Sequence, residues 1–473
     1  MKSSSYHRFS RWRALAGAWP FAAALGFVLS TAGHAALKHE IWLLDQSNTY
    51  DSDSNGTLDS GGYLHIYKGE DFAGAGVAQP AVESIDIGGS IAAAVKANTG
   101  SAPVRPHYIS FNPAGTHAVI TYVATGHLII IKAATRELVY SVDLGTQAHA
   151  ANVSPAGDYI LVANQNGKLV QRIDADFPND TFALDNTVTL DLATGLTPAG
   201  APRQSPETRP DNAAVITFPE QADGELAFVT LRGGGAFVVN ARSNPIKIVA
   251  EYTKDTVEPA GLIAVQSPVR EAIRSKLYFN SGGGGASELG HQAVLYTLNW
   301  NDFDPHPATP LAADTPAPKV VFDFGTLAPG AATEARPSPV TDSHGIQFTK
   351  PHASYLWAVD RADNKIIVVD PVTDQIVNRI NLVSRASADP APDLVRFSPD
   401  GTRAYASLRG LVPLSGNNAT VNNAKGSSPG LAVLEVTKNG REGKLLRVLR
   451  TFNKVSGAET SDPHGIHIRT FEQ

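Results

Sequence analysis

Short apolar stretches, separated by turn residues, recur along most of this chain. The stretches at 118–122, 127–131 and 355–359 are rich in β-branched and aromatic residues, which favour strands over helices. The last stretch, at 463–469, alternates apolar and polar residues with the period of two that a strand requires. Because 41 Gly and 31 Pro residues are available for turns, the pattern predicts an all-β protein.

The predicted strands fall into repeating groups of four. His107 opens one group and His149 opens the next, 42 residues later, which is the length of one propeller blade. A group of only three strands precedes them and begins at residue 41. The groups of four occupy, in chain order, residues 107–142, 149–192, 213–252, 262–324, 344–380 and 393–449.

The stretch at 463–469 has no partner strand after it in the sequence. A strand without a partner leaves its backbone N–H and C=O groups open at an edge, and this favours aggregation. Since the first group is one strand short, pairing the C-terminal strand with the N-terminal group completes both. We therefore predict a seven-bladed β-propeller, closed by its C-terminal strand, that forms a single domain at residues 36–473.

The turns that close the first strands share a motif. It reads Asn-Pro-Ala-Gly at 112–115, Ser-Pro-Ala-Gly at 154–157 and Ser-Pro-Asp-Gly at 398–401, and a third strand with its turn reads Asn-Lys-Ile-Ile-Val-Val-Asp-Pro-Val-Thr at 364–373. These motifs resemble the YVTN-type propeller repeats, which are similar to the cytochrome d1 domain and to lactonase-type propellers. The resemblance implies the fold more firmly than an activity. Covalent c-type haem is not expected, because the chain has no cysteine for a Cys-x-x-Cys-His motif.

The first 35 residues are typical of a secretory signal peptide. Four basic residues lie within 2–13, an apolar run covers 14–29, and Gly-His-Ala at 33–35 provides a small-residue cleavage site. A membrane anchor is the alternative, although the run is short and is broken by Pro20. We expect a periplasmic or secreted protein with no integral membrane segment after cleavage.

The charge balance narrows the class of partner. Cleavage would remove four basic residues and no acidic one, leaving 35 Lys and Arg against 45 Asp and Glu. An acidic surface of this kind argues against nucleic acid as the partner. The absence of cysteine also excludes disulfides and thiolate metal ligands. We expect the partner to be a small ligand, a metal ion or another exported protein.

The segment between the first two predicted strands carries an oxygen-rich pattern. Asp51, Asp53, Asn55, Thr57 and Asp59 alternate around a glycine. Alternate side-chain oxygens can turn inward while the glycine permits a sharp turn, as in calcium loops. The twelfth position is also a glycine, whereas an EF-hand has a bidentate Glu there. The sequence predicts a calcium loop set between strands, with a polar Asn-Gly turn as the alternative.

Histidines recur where the first strands of several groups begin. The first strand of a propeller blade lines the central channel, so we expect these side chains to ring one mouth of the channel. Imidazole nitrogens with one carboxylate suit Zn²⁺ or Cu²⁺. Histidines that only bond the backbone or water are the alternative. The predicted metal ligands are His107, His149, His344, Asp393 and His464.

These features favour a non-enzymatic binding protein that holds a metal ion or small ligand at the channel mouth. A lactonase-like or metal-assisted hydrolase is a second hypothesis, in which a metal or a His/Asp pair would activate water. A protein-interaction scaffold is a third. Propellers serve all three functions, so the predicted fold does not distinguish these hypotheses. The geometry of the site is needed to choose among them.

Overall fold

The computed structural model describes most of the chain after the predicted signal peptide: residues 38–74, 80–197, 200, 224–232, 234–257, 273, 275–282, 293–309, 311–325, 341–414 and 425–471, with the backbone alone at 213–217 and 265–266. The predicted signal peptide and the predicted start of the propeller at residue 36 lie outside the described residues. Within these ranges, no helix combines the length and the apolar character needed to cross a membrane.

Seven four-stranded antiparallel sheets make up the fold, and each is one propeller blade. Blade 1 consists of β1 (Lys38–Asp45), β2 (Tyr63–Lys68), β3 (Val82–Asp86) and the C-terminal β30 (Pro463–Phe471). Blade 2 consists of β4 (Pro106–Phe111), β5 (His117–Tyr122), β6 (His127–Lys132) and β7 (Leu138–Asp143), and blade 3 of β8 (Ala148–Val153), β9 (Tyr159–Asn164), β10 (Leu169–Asp176) and β11 (Thr181–Asp191). Blade 4 consists of β12 (Ala213–Thr217), β13 (Leu226–Leu231), β14 (Ala236–Asn240) and β15 (Lys247–Tyr252).

The remaining three blades follow the same order. Blade 5 consists of β16 (Val265–Gln266), β17 (Lys276–Asn280), β18 (Val294–Asn299) and β19 (Lys319–Asp323), and blade 6 of β20 (Ser343–Phe348), β21 (Leu356–Asp360), β22 (Lys365–Asp370) and β23 (Gln375–Asn381). Blade 7 consists of β24 (Pro392–Phe397), β25 (Arg403–Leu408), β26 (Gly430–Thr437) and β27 (Glu442–Arg450). A small hairpin of β28 (Lys454–Val455) and β29 (Ala458–Glu459) precedes β30. Short 3₁₀ turns lie at Gly69–Phe72, Phe177–Asn179, Trp300–Asp302 and Lys438–Gly440.

The first strands of the blades form a closed ring around the channel. They contact one another in the order β30, β4, β8, β12, β16, β20, β24 and back to β30. The closure depends on β30, which pairs antiparallel with β1 from Lys38 opposite Phe471 to Asp45 opposite Pro463. The seven blades and the closure by the C-terminal strand, both predicted from the sequence, are confirmed.

The hydrophobic core lies between the blades. Each core cluster joins two neighbouring sheets: Trp42 of blade 1 packs in one cluster with Ile120 of blade 2, and Ile41 of blade 1 packs in another with Tyr405 of blade 7. Strands buried on both faces need apolar side chains on both, which explains the continuous apolar runs of the middle strands. Burial of one such side chain contributes about 1.5–3 kcal/mol.

The repeated Pro-x-Gly turns have a backbone reason. Gly115, Gly157 and Gly401 end the turns that follow β4, β8 and β24, and their φ angles are 64°, 74° and 68°. Residues with a Cβ adopt these angles only with strain, so glycine is favoured there. The glycine of this repeated motif is therefore favoured by the backbone conformation of the turn that follows the first strand of the blade.

One helix departs from the repeat. The segment between β3 and β4 forms α1 (Ser90–Thr99), which the strand-based interpretation did not predict. Its alanine-rich sequence has high helix propensity, and Gly100 ends it in the left-handed conformation. The helix buries Ile91, Ala92 and Val95 against the edge of the blades.

Candidate metal centre at the channel mouth

The five predicted ligands occupy one equivalent position in five blades. Each is the second residue of the inner strand of its blade, and these strands all begin at the same mouth of the channel. The pairing with the next strand shifts register at this position in all five blades, which is the mark of a β-bulge. A bulge re-aims a side chain and bends the strand, and bulges are common beside functional sites.

The structure brings all five side chains together in a continuous row, and all are buried. His149 Nε2 lies 3.1 Å from His107 Nε2, and the His107 ring stacks on the His464 ring with their centroids 3.7 Å apart. His464 Nε2 lies 3.4 Å from Asp393 Oδ2, and His344 Nδ1 lies 2.9 Å from Asp393 Oδ1. The juxtaposition expected from the repeat alignment is therefore present.

Neighbouring groups hold two of the imidazoles in defined tautomers. His464 Nδ1 lies 2.9 Å from the His107 carbonyl oxygen. A carbonyl can only accept, so Nδ1 donates and the Nε2 of a neutral ring carries a lone pair. That lone pair faces the Asp393 carboxylate without a hydrogen bond.

Gln46 fixes the second imidazole. Its amide nitrogen donates to Asp462 Oδ2 at 3.1 Å, which leaves the amide oxygen to accept from His107 Nδ1 at 2.8 Å. His107 Nε2 then carries a lone pair that faces His149. Fixing one ring nitrogen so that the other can bind a metal is the usual arrangement around metal-ligating histidines.

Two buried arginines flank Asp393. Arg361 Nη1 donates to Asp393 Oδ1 at 2.8 Å, and Arg409 Nη1 donates to Asp393 Oδ2 at 3.0 Å. Arg361 also pairs with Asp342 at 2.7 Å, and Arg409 with Asp462 at 2.7 Å. Asp393 thus joins two ion pairs, which fixes its position at the channel mouth.

The sequence interpretation did not include these supporting residues. Gln46, Arg361 and Arg409 are each the first residue after the second strand of their blade. That position follows a strand whose length varies between blades, so it has no sequence motif of its own. Aligning the ends of the second strands, as the inner strands were aligned, would have identified it.

Burial and nearby charges shift the pKa values of three histidines and of Asp393 in this row. Burial, with the neighbouring histidines and Arg409, holds the pKa values of His107 and His464 well below the usual range. Burial also lowers the pKa of His344. For Asp393, burial alone would raise the pKa, but the adjacent histidines and arginines hold it well below its usual range. Neutral imidazoles beside an ionised carboxylate are the protonation states that metal ligation requires.

Three of the residues meet the distance requirement for one ion. The ligand atoms of His344, Asp393 and His464 all lie within 4.8 Å of one another. In the described part of the chain, this is the one such group of three or more His, Asp or Glu side chains. His344 Nε2 and His464 Nε2 are buried and have no hydrogen-bond partner, which is unusual for buried nitrogens.

The predicted calcium loop has a different geometry. Asp51 accepts hydrogen bonds from the backbone amides of Asn55 and Gly56, at 3.1 and 2.7 Å. Asp59 accepts from the Ser52 amide at 3.0 Å and from the Ser52 hydroxyl at 2.7 Å. The Asn55 side-chain oxygen accepts from the Thr57 amide, and the Asn55 side-chain amide donates to Asp53. The loop oxygens satisfy the turn itself, and calcium binding there stays a prediction.

Comparisons with known proteins support the fold. No protein-family model and no curated protein matches the sequence. The periplasmic gluconolactonase PpgL of Pseudomonas aeruginosa is similar with a TM-score of 0.52 and 14% identity, over 91% of this chain and 99% of that one. A protein from Lactobacillus plantarum is similar with a TM-score of 0.55 and 11% identity, over 92% of this chain and all of that one (100%). The chain is a seven-bladed propeller, and these neighbours share that fold.

Proposed function

We propose that this protein is an exported binding protein that holds a divalent transition-metal ion, Zn²⁺ or Cu²⁺, at the mouth of its channel. The observation that carries the proposal is the geometry of His464. Its Nδ1 is held by a backbone carbonyl, while its Nε2 faces Asp393 Oδ2 at 3.4 Å without the geometry of a hydrogen bond. Two acceptors in this arrangement repel each other unless a cation or a proton lies between them.

Ligand spacing also supports the proposal. A tetrahedral Zn²⁺ holds its nitrogen ligands at about 2.0–2.1 Å, which places two of them roughly 3.3 Å apart. The separation of 3.4 Å between His464 Nε2 and Asp393 Oδ2 is near this value, whereas the 2.9 Å between His344 Nδ1 and Asp393 Oδ1 is that of a hydrogen bond. Small movements of the side chains would complete the coordination.

The two arginines are compatible with an ion. A carboxylate offers about four lone-pair sites, and the arginine bonds to Asp393 use two of them. Each of these arginines also pairs with a second carboxylate, Arg361 with Asp342 and Arg409 with Asp462.

Export is proposed from the N-terminal 35 residues. Their basic segment, apolar run and small-residue cleavage site are those of a signal peptide. Amino-terminal sequencing of the protein recovered from the producing cell is expected to begin at Ala36. A mature protein that retained the apolar run at 14–29 would contradict cleavage.

Metal titration of the untagged mature protein is the decisive experiment. The protein is stripped with chelator and titrated calorimetrically with Zn²⁺ and with Cu²⁺. We expect one equivalent to bind. Changing His464→Gln or Asp393→Asn should weaken binding about 10-fold or more, because each change removes a ligand. His352→Gln is the matched control, since His352 is exposed on a loop and outside the row.

Two results of the metal titration would contradict the proposal. If neither ion binds at millimolar concentration, or if His352→Gln weakens binding as much as His464→Gln, the proposed metal site is wrong. A folded protein without metal affinity would favour the scaffold function instead.

A hydrolase is the second candidate, and one observation favours it. The group of His344, Asp393 and His464 would supply three ligands, leaving one position of a tetrahedral ion for water, as in catalytic zinc sites. His107 stacks directly on His464 and is the next imidazole of the row, although its Nε2 lone pair, which a general base requires, faces His149 in this structure. A sugar lactone is the substrate class to test, since PpgL is named as a gluconolactonase.

The hydrolase test uses the same metal-loaded protein. Gluconolactone hydrolysis is followed by proton release, against the metal-free protein. Turnover that disappears in His107→Gln while the metal stays bound would establish the enzyme. Metal binding without turnover would leave the binding function.

A further inference from the structure

A cavity of about 750 Å³ lies at the opposite end of the channel from the histidine row. It is lined by the later residues of the inner strands of blades 1, 2, 3, 6 and 7 and by the turns that follow them. Its volume lies within the range of small-molecule sites, which is roughly 300–1,000 Å³. The metal proposal does not use this cavity.

The charge lining this cavity is positive. Arg396 and Lys350 line it, and no carboxylate is among its described lining residues. His467 also lines the cavity, but burial lowers its pKa to about 3, so this imidazole is neutral near pH 7. This contrasts with the chain as a whole, whose formal net charge is −6. Arg396 is half-buried, and no described carboxylate lines the cavity beside it, so an anion that enters would meet an unbalanced guanidinium charge.

Arg396 is held ready for such an anion. Its Nη1 donates to the Val395 carbonyl at 2.9 Å, and its other described partner is the Tyr108 hydroxyl. The Tyr108 hydroxyl in turn lies 3.5 Å from Asn152 Oδ1. These contacts orient the guanidinium while leaving several N–H donors for a ligand, because arginine has five in all.

The walls of the cavity combine aromatic, proline and polar side chains. The half-buried Tyr108 and Phe111 contribute rings and prolines from several turns add apolar surface, whereas the Phe397 ring is buried against Trp357. The Phe111 ring lies 5.3 Å from the neutral His467 ring, so the two rings lie side by side in the wall of the cavity. Such a surface favours a ligand with a flat apolar body over a bare inorganic anion.

We propose that this cavity binds a small aromatic carboxylate, with the carboxylate on Arg396 and the ring against Tyr108 and Phe111. The guanidinium offers a planar fork that matches a carboxylate. Lys350, exposed at the rim, adds a second positive charge that attracts the ligand.

The test compares two probes of one shape, 1-naphthoate and neutral 1-naphthamide, by calorimetry with the full mature protein. Naphthoate is expected to bind at one site at least about 10-fold more tightly than naphthamide, as a charge-assisted hydrogen bond implies. Arg396→Met should remove this preference. Arg450→Met is the control, because Arg450 is an exposed arginine on an outer strand.

A second measurement does not depend on the folding of a variant. The imidazole resonance of His467 in the wild-type protein, assigned with His467→Gln, is expected to shift on addition of naphthoate. Equal binding of the two probes, no binding of naphthoate at millimolar concentration, or an unmoved His467 resonance would each overturn the proposal. Removing bound metal with chelator should leave naphthoate binding unchanged, which separates this site from the metal centre.

Discussion

Asp393 is the residue at which the two ion pairs and the histidine row meet. It is fully buried, and its oxygens accept from Arg361 and Arg409 while facing His344 and His464. A buried carboxylate is tolerated only when such partners compensate the loss of water. The same partners position it as a proposed ligand, so this residue serves both the stability of the mouth and the proposed function.

Arg409 links the two carboxylates that hold the mouth together, Asp393 and Asp462. Replacing Arg409→Met leaves both carboxylates buried without their shared cation. We expect a loss of roughly 3–5 kcal/mol in the free energy of unfolding, which urea denaturation can measure. Arg450→Met, at an exposed position, should change it by less than about 0.5 kcal/mol. A loss below 1 kcal/mol for Arg409→Met would contradict this role of the ion pairs.

At the scale of the element, β30 serves three purposes. It closes the ring by pairing with β1, it carries His464, and Asp462 just before it binds Gln46 and Arg409. The Asp462 amide also donates to Asp45 Oδ1 at 3.0 Å, which ties the two chain ends together. The last strand therefore determines both the fold and the site.

A chain ending at residue 461 tests this dependence. Without β30, β1 becomes an open inner edge and the first blade loses its innermost strand, so we expect aggregation on size-exclusion chromatography and loss of near-UV circular dichroism. A chain ending at residue 471, which keeps the whole strand, is the control. A monomeric, folded protein that ends at 461 would refute closure by β30.

Shortening one buried side chain of β30 should destabilise the protein without removing the strand. Ile466 is buried in the cluster between blades 7 and 1. Ile466→Ala should lower the free energy of unfolding by roughly 2–5 kcal/mol.

At the scale of the molecule, the buried histidines make stability depend on pH. Burial, the first cause in each case, lowers the pKa values of His107, His344 and His464 in the folded state, whereas in the unfolded chain each is about 6.5. Below about pH 6.5 these histidines bind protons in the unfolded state but not in the folded state. Their contribution to the free energy of unfolding is therefore fully present above about pH 6.5 and is lost as the pH falls.

We therefore expect the metal-free protein to lose about 1–2 kcal/mol per buried histidine between pH 7 and pH 5. Urea denaturation at pH 8, 7, 6 and 5 with chelator present measures this. His464→Gln should reduce the slope, while the control His352→Gln should leave it unchanged. A stability that stays constant from pH 8 to pH 5 would show that these histidines are not held neutral.

The sequence predicted more of this molecule than is usual because the fold is a repeat. Alternation of side chains marked the strands, the 42-residue spacing marked the blades, and the missing partner of the last strand implied closure. The helix α1 was not predicted because its segment lies outside the repeat. Alignment of the inner strands also placed His107, His149, His344, Asp393 and His464 at one mouth, because equivalent residues of a ring share a height along the channel.

Only the tertiary structure decided what these residues contact. Arg361, Arg409 and Gln46 share one position in the repeat, but which atoms of the row each of them contacts follows only from the closed ring. The cavity around Arg396 is likewise assembled from five blades. The sequence by itself determined the ring and the height of each side chain, since both follow from local periodicity. The distances, tautomers and unpaired charges that define the two candidate sites depend on long-range packing, which only the closed propeller provides.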